Sequence, residues 1–394
     1  MFETLTPAPG DKILALMGEF AADTRPGKID LGVGVYKDAA GRTPILSAVR
    51  KAEAKMLADG TTKTYLGIAG NKGFCAGVLD LALGDSVPRE RVRAVQAPGG
   101  TGALWVLTQL VRRARPNATV WLSDPTWPNH KPIVENLGLK TASYPYFDAA
   151  TRGVKFDDML AALEKLGPDD VVLLHGCCHN PTGANLTPEQ WDKVAASLAR
   201  TGALPFIDLA YLGFGDGLEA DAYGTRKVLE TVPEALVAFS ASKNFGLYRE
   251  RVGAAIILAR DEASANTVNS QLLNLVRAAY SQPPDHGAEI IRVILEDPVL
   301  KAEWIAELEQ MRQRMIGLRE QLAAAIRQRS NATDFDFVAT HRGMFSLLGL
   351  PPATVDLLKA QNGIYMIGDS RINVAGIPED RVGQLADAIL AAAG

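Results

Sequence analysis

The sequence predicts an α/β protein with a large domain, built on a mostly parallel sheet flanked by helices, and a smaller α+β domain. Three observations predict it. From Val95 onward short apolar runs alternate with helical patterns, as strands and crossover helices do in parallel sheets. At 394 residues the chain exceeds the size at which a single core keeps growing. A long charged helical pattern, EWIAELEQMRQRMIGLREQLAAAI within residues 298–329, separates that stretch from a C-terminal part of short strands and one last helix. The expected division is an N-terminal arm and part of the small domain (1–45), a large domain (46–300), and a connecting helix with the rest of the small domain (301–394).

Composition narrows the function. Hydrophobic residues make up 47% and charged ones 22%, ordinary for a globular enzyme. A formal net charge of −4 with scattered Lys and Arg offers no basic face to nucleic acid or to an anionic membrane. The start, MFETLTPAPGDKILALMGEF, lacks a signal-peptide pattern and no window is long and apolar enough to span a bilayer, so a cytoplasmic location is expected. Cys75, Cys177 and Cys178 cannot build a disulfide framework, because neighbouring cysteines do not easily bridge each other. On a strand, His175, Cys177 and His179 would face one side and Cys178 the other, with no further cysteine at ligand spacing. Small buried residues on a central strand are therefore expected there, and no metal.

Residues 9–22 read as an amphipathic helix entered through Pro9 and Gly10, with Ile13, Leu14, Met17 and Phe20 on one face against a partner surface. Residues 29–36 are extended, and Gly32 and Gly34 suit close approach of backbone to a ligand. A short helix over 48–56 precedes TTKTYLGIAGN, a glycine-punctuated loop presenting Tyr65, whose hydroxyl can lie partly buried or meet a phosphate. In AVQAPGGTGALWVLTQLVRR a strand, a glycine turn and a helix follow one another. Gly99, Gly100 and Thr101 thus gather amides and a hydroxyl at a helix N-terminus, a natural anion site. The spacing is neither a Walker motif nor a dinucleotide fingerprint.

The strand over 120–122 delivers Trp127 and His130 of SDPTWPNH to the carboxyl edge of the sheet, where open α/β sheets place ligands. Trp127, between two prolines, reads as a stacking wall. The strand over 171–174 leads into HGCCHNPTGANLTPEQW, with Asn180 in a loop and Thr187, Pro188 and Glu189 opening a helix. The strand over 204–211 buries Asp208, a carboxylate that asks for a positive partner. SASKNFGLYRERVG then places Lys243 just after the apolar run 236–239 and returns Arg249 and Arg251. Taken alone, such a lysine is more often a snorkelling surface residue; its alternative is an amine whose charge a Schiff base relieves, aided by burial and by Arg251. Arg371, on a half-buried strand-like segment before a final helix over 379–393, is the fork one expects to hold a carboxylate.

The motifs LGVGVYKD, TKTYLGIAG, GGTGAL, DPTWPNH, HNPTGANLT, DLAYLGF, SASKNFGLYRERVG, RAAYSQPPDHG, RGMFS and SRINVAG run in order from about residue 5 to the C-terminus. Together they resemble the aspartate and aromatic amino-acid aminotransferases, pyridoxal 5'-phosphate enzymes of fold type I, with wording closest to the bacterial aromatic members. The resemblance implies that Lys243 forms the Schiff base and shuttles the proton. Asp208 would pair with the pyridine nitrogen, while Tyr211 and Asn180 bond the phenolic oxygen. Trp127 would stack on the ring with His130 behind it. Gly100, Thr101, Ser240 and Arg251 would hold the phosphate, with Tyr65 reaching from a second subunit. Gly34, Trp127, Asn180 and Arg371 would hold the substrate's α-carboxylate, and Arg277 of the other subunit a distal carboxylate, so a homodimer with shared sites is implied.

Amino-group transfer between aromatic or acidic L-amino acids and 2-oxoglutarate, by a ping-pong mechanism, is the implied reaction. A dedicated aspartate aminotransferase, or a lyase or decarboxylase of the same fold type, is the alternative. Leu212 and Trp105 stand where the family often has Gln and a basic residue, and Thr64 and Gln282 where aspartate-dedicated members often have Asn. The pocket rim, and with it substrate preference, is less determined than the reaction.

Overall fold

The computed structural model describes residues 1–7, 10 and 12–393. In chain order the first half comprises α1 (Lys12–Ala22), β1 (Ile29–Asp30), α2 (Ser47–Asp59), α3 (Lys72–Leu83), β2 (Val92–Pro98), α4 (Gly99–Ala114), β3 (Thr119–Asp124), α5 (His130–Asn136), β4 (Lys140–Pro145), α6 (Phe156–Leu163), β5 (Asp170–His175) and α7 (Pro188–Thr201). There follow β6 (Leu204–Leu209), α8 (Leu218–Thr231), β7 (Ala235–Ser240), β8 (Val252–Leu258), α9 (Glu262–Ala279), α10 (His286–Glu296) and α11 (Pro298–Ser330). The last part holds α12 (Phe337–Thr340), β9 (Phe345–Leu347), α13 (Pro352–Asn362), β10 (Ile364–Tyr365), β11 (Arg371–Asn373) and α14 (Val382–Ala393).

Seven strands form the main sheet in the order β2-β8-β7-β6-β5-β3-β4. Only β8 runs against its neighbours, so the sheet is mostly parallel, as expected. Both faces are covered, and successive residues of β7 feed opposite cores: Ala235, Val237 and Phe239 one, Leu236 and Ala238 the other. Helices α4 and α9 close one face; α2, α3, α7, α8, α10 and the first half of α11 close the other.

A third cluster joins Ile29 and Leu31 to Leu318, Leu322, Ile364, Ile372, Leu385 and Ile389, with β1 parallel to β10 (Ile29↔Ile364) and β11 antiparallel to β9 (Arg371↔Leu347). Helix α11 enters both kinds of core, the sheet's through Trp304, Leu308 and Met311 and the third through Leu318, Leu322 and Ile326. Its 33 residues are bounded by the Asp297 side chain, which accepts from the Val299 and Leu300 amides, and by Asn331 in the left-handed region. Thr187 and Gln190 form the capping box that opens α7.

Several sequence expectations are adjusted. Pro9 lies outside the described residues, Gly10 is not helical, and α1 is helical from Lys12. The helix expected over 48–56 runs from Ser47 to Asp59, and α3, capped by Asn71, follows the Tyr65 loop. Residues 29–36 are a strand only at Ile29–Asp30. Beyond that, Asn373 Nδ2 donates to the carbonyls of Val33 (2.6 Å) and Val35 (2.7 Å), so a side chain replaces the ladder. The vicinal cysteines are not on a strand: β5 ends at His175, and Cys178 turns the chain at φ +52°. Arg371 is buried, not half-buried.

Candidate active site

Parallel strands end together at one edge of the sheet, and the turns that leave them build a cleft there. Asp208 comes from β6, beside Ala238 of β7 and His175 of β5 in register. Its Oδ2 lies 2.9 Å from Nε2 of His130, the first residue of α5. The side chain that meets the Asp208 carboxylate is thus a histidine, itself 1% exposed. Thr126 Oγ1 lies 2.8 Å from His130 Nδ1 and 3.1 Å from His175 Nε2, extending the chain of polar groups behind the carboxylate. Burial acts to raise the Asp208 carboxyl, but the His130 hydrogen bond and the charges around it, Lys243 included, hold it below the usual carboxylate range.

Lys243 follows β7 by three residues. Burial lowers its amine to about 8, the Asp208 carboxylate opposing and Arg251 assisting the shift, and its Nζ sits 4.9 Å from the centre of the Tyr211 ring. Phe245 stacks on Trp304 of α11 at 4.3 Å, and Trp304 Nε1 donates to the Asn244 carbonyl at 2.8 Å, so the segment carrying Lys243 is pinned from below. Because β8 reverses direction, the chain returns Arg251 to the same edge that Lys243 left. The Arg251 guanidinium donates to the Tyr248 carbonyl (3.2 Å) and weakly to Ser242 Oγ (3.4 Å), and no ion pair engages it among the described residues. Beside it α4 begins at Gly99, at φ +73°, where any Cβ would collide with that guanidinium. A cation without an acid thus faces the free amides of a helix start, as an anion requires.

Arg371 reaches the cleft from β11 with 4% exposure. Its Nη1 donates to Asn180 Oδ1 at 3.2 Å and its Nη2 to the Gly32 carbonyl at 3.1 Å, while Nε has no partner. The guanidinium lies 4.3 Å above the Phe345 ring, and burial without a carboxylate partner lowers its pKa. Gly34 closes that corner: a Cβ there would sit 3.1 Å from Phe345 Cζ.

Gly34, Gly100, Thr101, Trp127, Asn180, Asp208, Tyr211, Ser240, Lys243, Arg251 and Arg371, all picked from sequence, line this one cleft. Tyr65 and Arg277 do not. Tyr65 is 91% exposed on its loop, and Arg277 stands exposed in the last turn of α9, donating to Ser281 Oγ. Sequence reasoning missed Ser242, Phe345 and, as a site residue, His175, all of which line the cleft. Ser242 lies in SASK and Phe345 in RGMFS, motifs noticed without assigning these residues a role. Cys177, Cys178 and Asp221 approach within 4.8 Å, but the Asp221 oxygens already accept from the amides of Gly213, Gly215 and Asp216.

A primary amine of lowered pKa, a charged carboxylate deep in the cleft, an indole wall and an acid-free cationic anion cradle fit a flat, aldehyde-bearing pyridine phosphate. On a mostly parallel sheet covered by helices, that combination defines a pyridoxal 5'-phosphate enzyme of fold type I. Residues 26–389 match the family of class I and II aminotransferases, to which the chain belongs. It is 53% identical over 390 residues, 99% of each chain, to an aromatic-amino-acid aminotransferase of Paracoccus denitrificans. It is 43% identical to an aspartate aminotransferase of Escherichia coli K12, covering 99% of this chain and all of that one. Among solved structures, the Burkholderia pseudomallei aromatic-amino-acid aminotransferase covalently bound to pyridoxal phosphate superposes with a TM-score of 0.97, at 42% identity, over the whole of both chains. The protein is a pyridoxal phosphate-dependent aminotransferase.

Proposed function

We propose that this enzyme moves the amino group between aromatic or acidic L-amino acids and 2-oxoglutarate by a ping-pong mechanism. The observation that carries the reading is the buried Arg371 guanidinium, without an acid partner, in the same cleft as the low-pKa amine of Lys243. Every amino acid and oxo acid offers Arg371 an α-carboxylate. Bound pyridoxal phosphate supplies the aldehyde that takes up the amino group and the ring that draws electrons from Cα.

The chain's residues supply the rest. Lys243 Nζ would carry the proton from Cα of the amino acid to the cofactor's former aldehyde carbon and, in the second half-reaction, from that carbon to the oxo-acid carbon. Asp208, charged and braced by His130, holds the ring nitrogen protonated. Tyr211 and Asn180 bond the phenolic oxygen and Trp127 walls the ring. Gly100, Thr101, Ser240 and Arg251 hold the phosphate; Gly34, Trp127 and Asn180 help Arg371 seat the α-carboxylate.

The position of Tyr65 and Arg277 outside their own cleft supports a homodimer in which each serves the partner's site, Tyr65 at the phosphate and Arg277 at a distal carboxylate. Exposed Phe2, Leu5, Leu14 and Met17 give such a dimer an apolar surface to cover. We place the enzyme in the cytoplasm; no helix among the described residues is long and apolar enough to cross a membrane. We keep the division of the chain at about residues 45 and 300 with α11 as the connecting helix; Ile29 and Leu31 in the third cluster support the first boundary, while α11 packs on the sheet's core as far as Met315 and joins the third cluster from Leu318.

A dedicated aspartate aminotransferase is the second reading, favoured by the 43% identity to the Escherichia coli enzyme of that name. Half-reactions with aspartate, tyrosine and phenylalanine, followed through the cofactor's absorbance, decide between them. Rapid conversion by an aromatic donor supports the broader reading, and negligible conversion overturns it.

A further inference from the structure

Arg319, on α11, is 0% exposed. No ion pair engages it among the described residues; its nearest neighbours are carbonyls and a hydroxyl. Nη1 donates to Ser346 Oγ at 2.6 Å and to the Val338 carbonyl at 3.2 Å, and Nη2 donates to the carbonyls of Gly343 (2.8 Å) and Phe345 (2.7 Å). A buried guanidinium is costly, and an apolar side chain of similar size would serve packing alone as well or better. The groups Arg319 holds are not arbitrary. Gly343 and Phe345 flank Met344 on the approach to β9, and Phe345 is the ring on which the Arg371 guanidinium rests. Phe345 also meets the Tyr211 ring edge-on at 6.0 Å, and β9 pairs with β11, so the same short strand carries the platform and orders the strand bearing Arg371.

The turn that bears Asn180 is gathered by the same strand. Gly183 at φ +75° packs against the Phe345 carbonyl so closely that a Cβ would clash with it, and the Arg342 amide donates to the Gly183 carbonyl at 2.9 Å. Asn180 Oδ1 in turn accepts from Arg371.

We propose that Arg319 is a positioning residue for the substrate's α-carboxylate: by fixing the carbonyls of Gly343 and of Phe345 itself it holds the platform that aims Arg371. The proposal rests on the reading of Arg371 as the α-carboxylate clamp. Burial lowers the Arg319 pKa to about 9, which leaves it charged at neutral pH, so its donors are permanently available.

The test compares two reagents that attack the cofactor's aldehyde through the same aminooxy nitrogen: aminooxyacetate, which carries a carboxylate, and methoxyamine, which does not. In Arg319→Met holoenzyme the aminooxyacetate rate constant is expected to fall about tenfold, a usual effect of losing a group that orients a binding residue. The methoxyamine rate constant stays within about twofold, since only the carboxylate contact is affected. Arg319→Lys, which keeps a charge without the planar fork, recovers part of the loss. If Arg319→Met fails to fold, Ser346→Ala, which removes one acceptor of Nη1, carries the same comparison with a loss of about threefold in aminooxyacetate alone. Equal losses for both reagents, or none for either, overturn the proposal. Arg371→Leu separates the two levels. A selective aminooxyacetate loss there, absent from the Arg319 variants, sinks the positioning role alone. No selective loss in Arg371→Leu sinks the clamp and the proposal together.

Discussion

Asp208 accepts a hydrogen bond from His130 at 2.9 Å, and that contact, with the charges around it, keeps a buried carboxylate charged in the cleft it shares with Lys243, Arg251 and Arg371. Asp208→Ala removes the charge proposed to keep the cofactor's ring nitrogen protonated. The first half-reaction should slow by about 100-fold or more, the scale of losing one preorganised electrostatic group. Cofactor retention should weaken while thermal unfolding of the apoprotein moves little. Stopped-flow absorbance reads the rate; undiminished conversion would make Asp208 a purely structural acid.

Lys243→Ala should still bind cofactor and amino acid but turn over about 100-fold to 10,000-fold more slowly, the usual contribution of a positioned proton carrier. Steady-state assays with a coupled oxo-acid readout measure it. Near-normal turnover would exclude Lys243 from the chemistry.

The same lysine burdens the cofactor-free protein. Burial lowers its folded pKa from the ordinary 10.5 to about 8, so between these values the unfolded chain binds the extra proton and stability rises with pH. Below pH 8 the cost is fully present. Lys243→Met should therefore stabilise the apoprotein at pH 7 by about 2–3 kcal/mol, allowing for the solvent that reaches this half-buried amine, and flatten the rise toward pH 10. Urea titrations at both pH values check this, and identical curves for the two proteins would contradict it.

Arg277→Leu should cost aspartate and glutamate about 2–5 kcal/mol in kcat/KM, the size of a lost charge-assisted contact. Phenylalanine and tyrosine should be spared, while Arg371→Leu hurts both groups. Single-turnover half-reactions keep 2-oxoglutarate out of the comparison. Equal losses for aspartate and phenylalanine in Arg277→Leu would remove Arg277 from the distal-carboxylate role.

The proposed sharing of sites between two subunits makes a further expectation. Mixing Lys243→Ala with Arg277→Leu subunits, followed by refolding together, should restore up to about one quarter of unmutated aspartate activity, because half the dimers are hybrids with one intact site. Each variant alone stays slow. Additive activity without restoration would show that Arg277 serves its own chain's site.

The charged members of the site were legible because each broke a local rule. Asp208 and Lys243 sit against apolar strands, and Gly99 and Gly100 interrupt a strand and helix for no packing reason. Phe345 broke none: an aromatic residue in a short strand reads as core until the pairing of β9 with β11 sets it opposite Asn373, diagonally within reach of the Arg371 guanidinium. Helix α3 was hidden by Gly73 and Gly77, which lower helix propensity. The structure explains them, since a Cβ at either would press on Arg292 or Leu295 of α10 at 2.5–2.6 Å. The reach of Tyr65 and Arg277 rests on the family resemblance, because residues that serve a neighbour carry no signal of their own chain's cleft.

The pairing of β1 with β10, and the bond from Arg371 to the Gly32 carbonyl across 339 positions, have a consequence for biosynthesis. Ile29 and Leu31 leave the ribosome long before their partners Ile364, Ile372 and Leu385, so this early segment must wait for the later strands before it can pack. A nascent chain stalled after β8 has already made every strand of the main sheet, Lys243 and Asp208 among them. It lacks Arg371, the proposed clamp for the α-carboxylate, so that site is complete only once β9 and β11 have followed.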